Sequence, residues 1–274
     1  AYQEPEHYFE VISDYADYME IMNESAWQVD KTTGLFSQTM IDLWREKQQD
    51  PNGTAPSGYP NYVAYPNTDW MRAMFTPAIY QKHSVTATGS TDRIKYLLSF
   101  SYMDNPGVID NSGLQKYSYR ANISSNVTKW LEVGAKFYGY RQNTELSDLS
   151  GSMTLLSRGI PGIYPYYDGK YGWMENPEQN SESRNNLYFF NRYKGENITT
   201  YQNMAAFLNI TLPLHIKYHA SFNYSWRDAI QKQHPTLGNA YSFSRDEEAY
   251  TYNDLSKLTL KHTYAHTGRW VFQT

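Results

Sequence analysis

The chain has 274 residues, a formal net charge of -4 and no cysteine, so disulfide frameworks and thiol chemistry are excluded and a nucleic-acid partner is disfavoured. Aromatic residues make up 16%, 27 of them Tyr, while hydrophobic residues reach only 40% and mean hydropathy is -0.72. No run approaches the roughly 18 apolar residues of a membrane-spanning helix, but strands that cross a membrane need only about 9–11 alternating residues.

Ala1-Tyr2-Gln3-Glu4 has neither the basic region nor the apolar core of a leader, and the chain does not begin with Met. An internal piece of a longer protein, or a processed product, is expected. The first thirty residues are acidic and hold no Lys or Arg. Tyr8, Val11, Ile12, Tyr15, Tyr18, Met19 and Met22 recur at helical spacing and predict an amphipathic helix. Ser37 is a good N-cap for a second helix running to about Gln49, which Asp50-Pro51-Asn52-Gly53 ends. Pro56, Gly58, Pro60 and Pro66 keep the next stretch irregular.

From about His83 the period becomes two. Strands are predicted at 83–89, 94–102, 117–124, 131–137, 201–212, 216–226, 255–264 and 270–272, about eight in all. The run Ile94-Lys95-Tyr96-Leu97-Leu98-Ser99-Phe100-Ser101-Tyr102 carries the alternation most clearly. Short turns are predicted near 90–93, 126–130, 213–214 and 266–268. Long connections fall between them, at 104–116, 143–200 and 227–254, and a short helix is expected around Ser152–Arg158. Short and long connections alternate without a break. That rhythm is expected of an outer-membrane β-barrel, with short periplasmic turns and long extracellular loops. A soluble sandwich has no cause to segregate loop length in this way.

Ordered motifs along the chain carry a family resemblance. Tyr65-Pro66-Asn67-Thr68-Asp69-Trp70 resembles a segment of SusC/RagA-like TonB-linked outer-membrane transporters. His83 to Asp92, Tyr96 to Ile109, Tyr117 to Ile123, Trp130 to Gly134 and Ile160 to Gly169 are similar to further segments of that family, in the family's order. Tyr15 to Tyr18 and Asn23-Glu24 match more loosely. The departures are Met71-Arg72-Ala73, where a more acidic stretch is usual, and Asn105-Pro106, where Gln-Glu is commoner.

The resemblance implies an all-β fold: an antiparallel transmembrane β-barrel segment, part of a barrel of about 22 strands. Residues 1–82 would be an extracellular loop region with short helices, and 83–274 the barrel strands with their loops. The implied activity is import of oligosaccharides or peptides across the outer membrane of a gram-negative bacterium. The implied partners are a SusD-like surface lipoprotein, TonB acting through a plug absent from this sequence, and lipid. No cofactor and no enzymatic activity are implied.

Among candidate site residues, the loop aromatics Tyr164, Tyr166, Tyr167, Tyr171 and Trp173 suit a ligand platform, because aromatic faces stack on sugars and their polar tips hydrogen-bond. The plainer reading is loop packing or contact with a lid protein. Lys95, Lys136 and Lys217 are expected to point into the lumen. His215 and His219 would lie about 13 Å apart along a strand, too far to share a metal. No Cys/His cluster, GxSxG or phosphate-binding loop occurs, so no catalytic or metal site is expected. Asp246-Glu247-Glu248 reads as a solvated charge run. Two other readings stay open on residues alone: a soluble all-β glycan-binding module using the same aromatics, and a β-rich hydrolase that would need a carboxylate pair.

Overall fold

Seven antiparallel strands form one sheet in which neighbours in sequence are neighbours in space. The computed structural model describes residues 1–6, 8, 10–30, 34–146, 156, 158–179, 185–191, 193–235, 238–251 and 261–273. In chain order the elements are β1 (Tyr2–Gln3), α1 (Tyr15–Asp30), α2 (Gln38–Gln49), α3 (Asn61–Ala64), α4 (Trp70–Met74), β2 (Ala78–Ile79), β3 (Gln81–Ser90), β4 (Ile94–Asn105), β5 (Leu114–Asn126) and β6 (Leu131–Glu145). There follow β7 (Tyr166–Tyr167), β8 (Lys170–Gly172), α5 (Asn186–Asn191), β9 (Tyr193–Thr211), β10 (Lys217–Pro235), β11 (Asn239–Ser242), β12 (Glu247–Thr251) and β13 (Lys261–Gln273). The large sheet has the order β3-β4-β5-β6-β9-β10-β13.

The connections β3–β4, β5–β6 and β9–β10 all lie at one end of the sheet and are short. Two of them use the same device. Thr91 Oγ1 accepts from the Arg93 and Ile94 amides at 3.3 and 3.0 Å, and Thr128 Oγ1 accepts from the Trp130 and Leu131 amides at 3.3 and 3.0 Å. A threonine hydroxyl bonding two amides downstream closes a tight turn without help from the rest of the chain. The connections at the other end are longer, and their described residues carry β7, β8, α5, β11 and β12.

Three expectations change. The first helix begins at Tyr15, not near Tyr8, because Asp14 accepts from the Asp17 amide (3.0 Å) and Asn67 Oδ1 accepts from the Tyr15 amide (3.0 Å), which fixes the start there. Strand β10 continues to Pro235, through the first part of the loop expected at 227–254. No turn occurs at 266–268: β13 runs unbroken, with Thr267 opposite Arg227 and Gly268 opposite Trp226. Gly268 lies inside the strand beside the Tyr224 ring, whose hydroxyl is 3.6 Å from where a Cβ would stand, rather than marking a turn. The sheet therefore has seven strands, not eight. The helix expected around Ser152–Arg158, and the start of the strand expected from Leu255, fall mainly outside the described residues. The second helix begins where Ser37 placed it, with Ser37 Oγ accepting from the Met40 amide at 3.3 Å.

The hydrophobic core does not lie on the sheet. Among the described residues, no apolar side chain of the seven strands is buried. Tyr15, Met19, Ile41, Trp44, Val63, Trp70, Ile163, Phe190 and Phe243 form one cluster, with Ile109 from the β4–β5 connection. The helices and long connections thus build a cap with its own core at the long-connection end. Trp70 Nε1 donates to the Ile160 carbonyl (2.8 Å), and Thr68 Oγ1 donates to the Ile163 carbonyl (2.7 Å). Asp69 caps α4 by accepting from the Arg72 amide at 3.0 Å. The Tyr65–Trp70 motif is accordingly a structural staple that ties the helical segment to the 160–163 loop.

Candidate functional site

Two surfaces hold side chains that chemistry has not already absorbed into a core: the faces of the large sheet, and the aromatic loops of the cap.

Residues opposite one another across a ladder share a face. Phe100 pairs with Val85 and Tyr119, Leu98 with Ala87 and Ala121, and Tyr96 with Ile123. The row continues through Phe137, Met204, Tyr224 and Trp270. This face is apolar and open: Leu98, Phe100, Phe222 and Trp270 are all exposed, Trp270 by 71%. The apolar band runs from Ile94 to Phe100 on β4 and from Tyr218 to Trp226 on β10, about 20–27 Å along the strands at roughly 3.3 Å per residue. Charge enters this face only towards the cap, where Arg141 and Asp228 stand in one row with His266. His266 Nδ1 lies 2.5 Å from Asp228 Oδ1.

The opposite face is polar. Lys95 stands opposite Ser124, Asn122 opposite Lys136, and Lys136 opposite Ala205. Lys217 shares this face with His219. Tyr138, Tyr140 and Tyr201 form a patch on it with ring centroids 5.5–6.4 Å apart.

In the cap, the sequence Tyr167-Asp168-Gly169-Lys170 makes a two-residue hairpin. Asp168 and Gly169 have φ of 45° and 80°, the pair of left-handed residues that such a turn demands. Neighbours in the hairpin point opposite ways, so the five candidate aromatics are divided. Tyr164 and Tyr167 turn inward to Tyr62 and Phe243, with Tyr167 6.1 Å from Tyr59. Tyr166 is 48% exposed and packs on Tyr171 at 4.9 Å, which packs in turn on Tyr188 at 5.3 Å. Trp173 is half-buried, and its amide donates to the Tyr241 carbonyl at 2.9 Å. The five do not form one platform. Burial pushes the Tyr164 and Tyr171 phenols up, as expected of rings that serve packing.

The residues that hold these loops carry no local sequence signal. Asn185 is fully buried, with Nδ2 in reach of the Tyr164, Pro165 and Gly172 carbonyls at 2.8–3.1 Å, and Oδ1 accepting from the Tyr188 amide. A side chain at Gly172 would strike the Tyr164 carbonyl, with 2.0 Å between Cβ and oxygen. Glu175 is buried and binds the 242–244 strand end. It accepts from the Phe243 and Ser244 amides at 2.8 and 2.9 Å, and from the Ser242 and Ser244 hydroxyls at 2.8 Å. Burial raises its carboxyl to about 7, against the pull of those hydrogen bonds towards the anion. Lys170 Nζ sits 3.8 Å from the centre of the Tyr241 ring and 3.1 Å from the Tyr59 hydroxyl. Among the described residues no cluster of His and carboxylates has the arrangement of a metal site.

No family model matches the chain. It is 30% identical over 139 residues to the TonB-dependent receptor P26 of Formosa agariphila, a match covering 48% of this chain and 14% of that receptor. It is 27% identical over 82 residues to the TonB-dependent receptor SusC of Bacteroides thetaiotaomicron, covering 30% of this chain and 7% of SusC. In fold it matches the RagAB peptide importer in its closed-closed state, with a TM-score of 0.56 at 19% identity over 83% of this chain and 26% of the importer chain. The chain is SusC/RagA-like. These relatives are receptors and an importer, and the SusC/RagA-like chain spans only a small part of each. Within that span, the strand and turn motifs of the SusC/RagA-like chain fall on β3 to β6, and its Tyr65–Trp70 motif on the cap.

Proposed function

We propose that the chain forms part of the wall and outer cap of a TonB-dependent outer-membrane importer for oligosaccharides or peptides. The observation that carries this reading is the two-faced sheet without a core. An exposed apolar band about 25 Å tall, backed by a polar face, suits a wall between lipid and a wet lumen. In water, an apolar surface of this extent would drive aggregation. In this reading residues 83–274 supply strands, β3 and β13 are joined by further strands so that no edge meets lipid, and residues 1–82 sit on the extracellular side with the long connections. A SusD-like surface lipoprotein caps that side, and TonB supplies energy through another part of the protein. Tyr166, which turns away from the Tyr59–Phe243 cluster and is exposed, is the member of the predicted set best placed to meet ligand or lid. The likeness to receptors and an importer supports a transport role over an enzymatic one.

Topology tests the reading: this chain has no cysteine, and any cysteine elsewhere in the full-length protein is first replaced by serine. In the full-length protein in intact cells, a membrane-impermeant maleimide should label Tyr166→Cys. It should leave Thr128→Cys, at a short turn, unlabelled until the cells are opened. Equal labelling of both positions in intact cells would overturn the assignment.

A further inference from the structure

On the apolar face, the first row beyond the band holds an unpaired cation. The band ends at Phe100 on β4 and Trp226 on β10, and the next row towards the cap runs through Tyr102, Tyr117, Arg141, Thr200 and Asp228. Arg141 is exposed and has no ion-pair partner among the described residues. Asp228 stands two strands away, about 10 Å across the ladder. It is already engaged: His266 Nδ1 lies 2.5 Å from its Oδ1, and the Tyr264 hydroxyl donates to the same oxygen at 3.1 Å. Two rows nearer the cap, Glu145 accepts from the Gly113 amide at 2.8 Å and Glu196 lies 3.4 Å from Lys232 Nζ.

Three neutral polar groups surround Arg141 on the same face. Thr200 stands opposite it, and one row nearer the band Gln202 stands opposite Gly139. Gly139 has no side chain, and the Tyr119 ring of β5 fills the place, with its hydroxyl where a Cβ would stand. A guanidinium, a hydroxyl, an amide and a phenol thus occupy the corners of one ladder square, and none of the four side chains is hydrogen-bonded to another described residue.

The place of the square decides what can cover it. β6 is the middle strand of the seven and β9 is its neighbour, so strands added beyond β3 or β13 do not reach it. A plug in the lumen meets the opposite face. The square also lies at the level where the apolar band gives way to polar side chains, which is the depth of lipid headgroups. All four groups donate hydrogen bonds, and the guanidinium adds a positive charge. A phosphate accepts several such bonds at once and takes two parallel ones from an arginine.

We propose that Arg141, Tyr119, Thr200 and Gln202 form a site for the phosphate group of a phosphorylated lipid in the outer leaflet. The proposal rests on the transport reading, in which the apolar face meets lipid and the cap end lies outside, and names the lipid chemistry that this face holds.

The test uses the full-length receptor purified in an uncharged detergent, its barrel confirmed by heat-shifted mobility on a gel. Lipid A carrying both phosphates and lipid A with both removed are titrated in turn, and bound lipid is counted by native mass spectrometry. The phosphorylated form should bind about tenfold more tightly, and Arg141→Gln should remove most of that preference with the mobility unchanged. Arg141→Lys should keep part of it, because an ammonium holds phosphate as a point charge without the fork. Tyr119→Phe and Thr200→Val should each weaken binding about two- to threefold. Arg120→Gln, on the opposite face of β5, should leave the preference intact. Equal binding of the two lipids by a folded barrel, or a preference that survives Arg141→Gln, would overturn the proposal while leaving the transport reading in place. Full displacement of the lipid by millimolar inorganic phosphate would assign the square to a free anion and overturn it as well. A receptor that lacks the heat-shifted mobility of a barrel would remove the transport reading, and the lipid site with it.

Discussion

The cap and the sheet solve the same problem in opposite ways. The cap is held as a soluble domain is held, by a core of buried rings and by staples between distant loops. The sheet has ladder hydrogen bonds and no core, and its largest apolar side chains face outward. One chain therefore contains two solvents' worth of design. In the proposed reading, hydrophobic residues mark the inside of the cap and the lipid-facing side of the sheet, so a substitution of one type has opposite consequences in the two regions.

The largest expected effect breaks the cap and spares the wall. Trp70 is 2% exposed and its indole holds the Ile160 carbonyl. Trp70→Ala should cost the cap about 3–5 kcal/mol. Limited proteolysis of the detergent-solubilised full-length protein should then cut the long connections while the strands stay protected. The next effect inverts the rule on the wall. Leu98→Arg should cost about 2–4 kcal/mol near mid-membrane, whereas Ser99→Arg, one residue away on the polar face, should be close to neutral. Urea titration in lipid vesicles reads both, and equal costs would erase the distinction between the faces.

A smaller effect, local to the cap, follows from Glu175. Its carboxyl titrates at about 7 when folded, above its ordinary value of 4.5. Between those values the folded form holds more protons than the opened form, so stability falls as pH rises across this window. The Glu175 clamp should be tightest below about pH 4.5, and should lose on the order of 3 kcal/mol by the time pH passes 7. Amide exchange at Phe243 and Ser244, corrected for the intrinsic rate, should slow on acidification, and Glu175→Gln should flatten the dependence.

The same contrast explains what the sequence could reveal. Alternation over 94–102 and 216–226 is legible because one face is apolar, and the strands were found where that holds. The outer ends of β9 and β10, such as Lys194 to Glu196 and Lys232 to His234, are wet on both faces, so the period-two signal fades while the ladder continues. Gly268 imitates a turn only to a reader without the partner strand. In the cap, Ser37 announced its helix through local chemistry, but the start of α1 depends on Asn67, far along the chain. The five loop aromatics were visible as a cluster in sequence. The opposite orientations of Tyr166 and Tyr167 follow from the Asp168-Gly169 hairpin, and the clamp between Glu175 and Ser242–Ser244 joins segments with no shared local pattern.

The account turns on which solvent meets each face of the sheet. Single nitroxide labels at Leu98, Phe100, Ile123 and Phe222, and at Ser99, Asn122, Lys136 and Asn223, would measure this in the full-length protein reconstituted in lipid bilayers. The first set should collide with dissolved oxygen and be shielded from a water-soluble nickel reagent, and the second set should show the reverse, switching at every residue along β4. Equal access of the nickel reagent to both sets would contradict a wall between lipid and lumen.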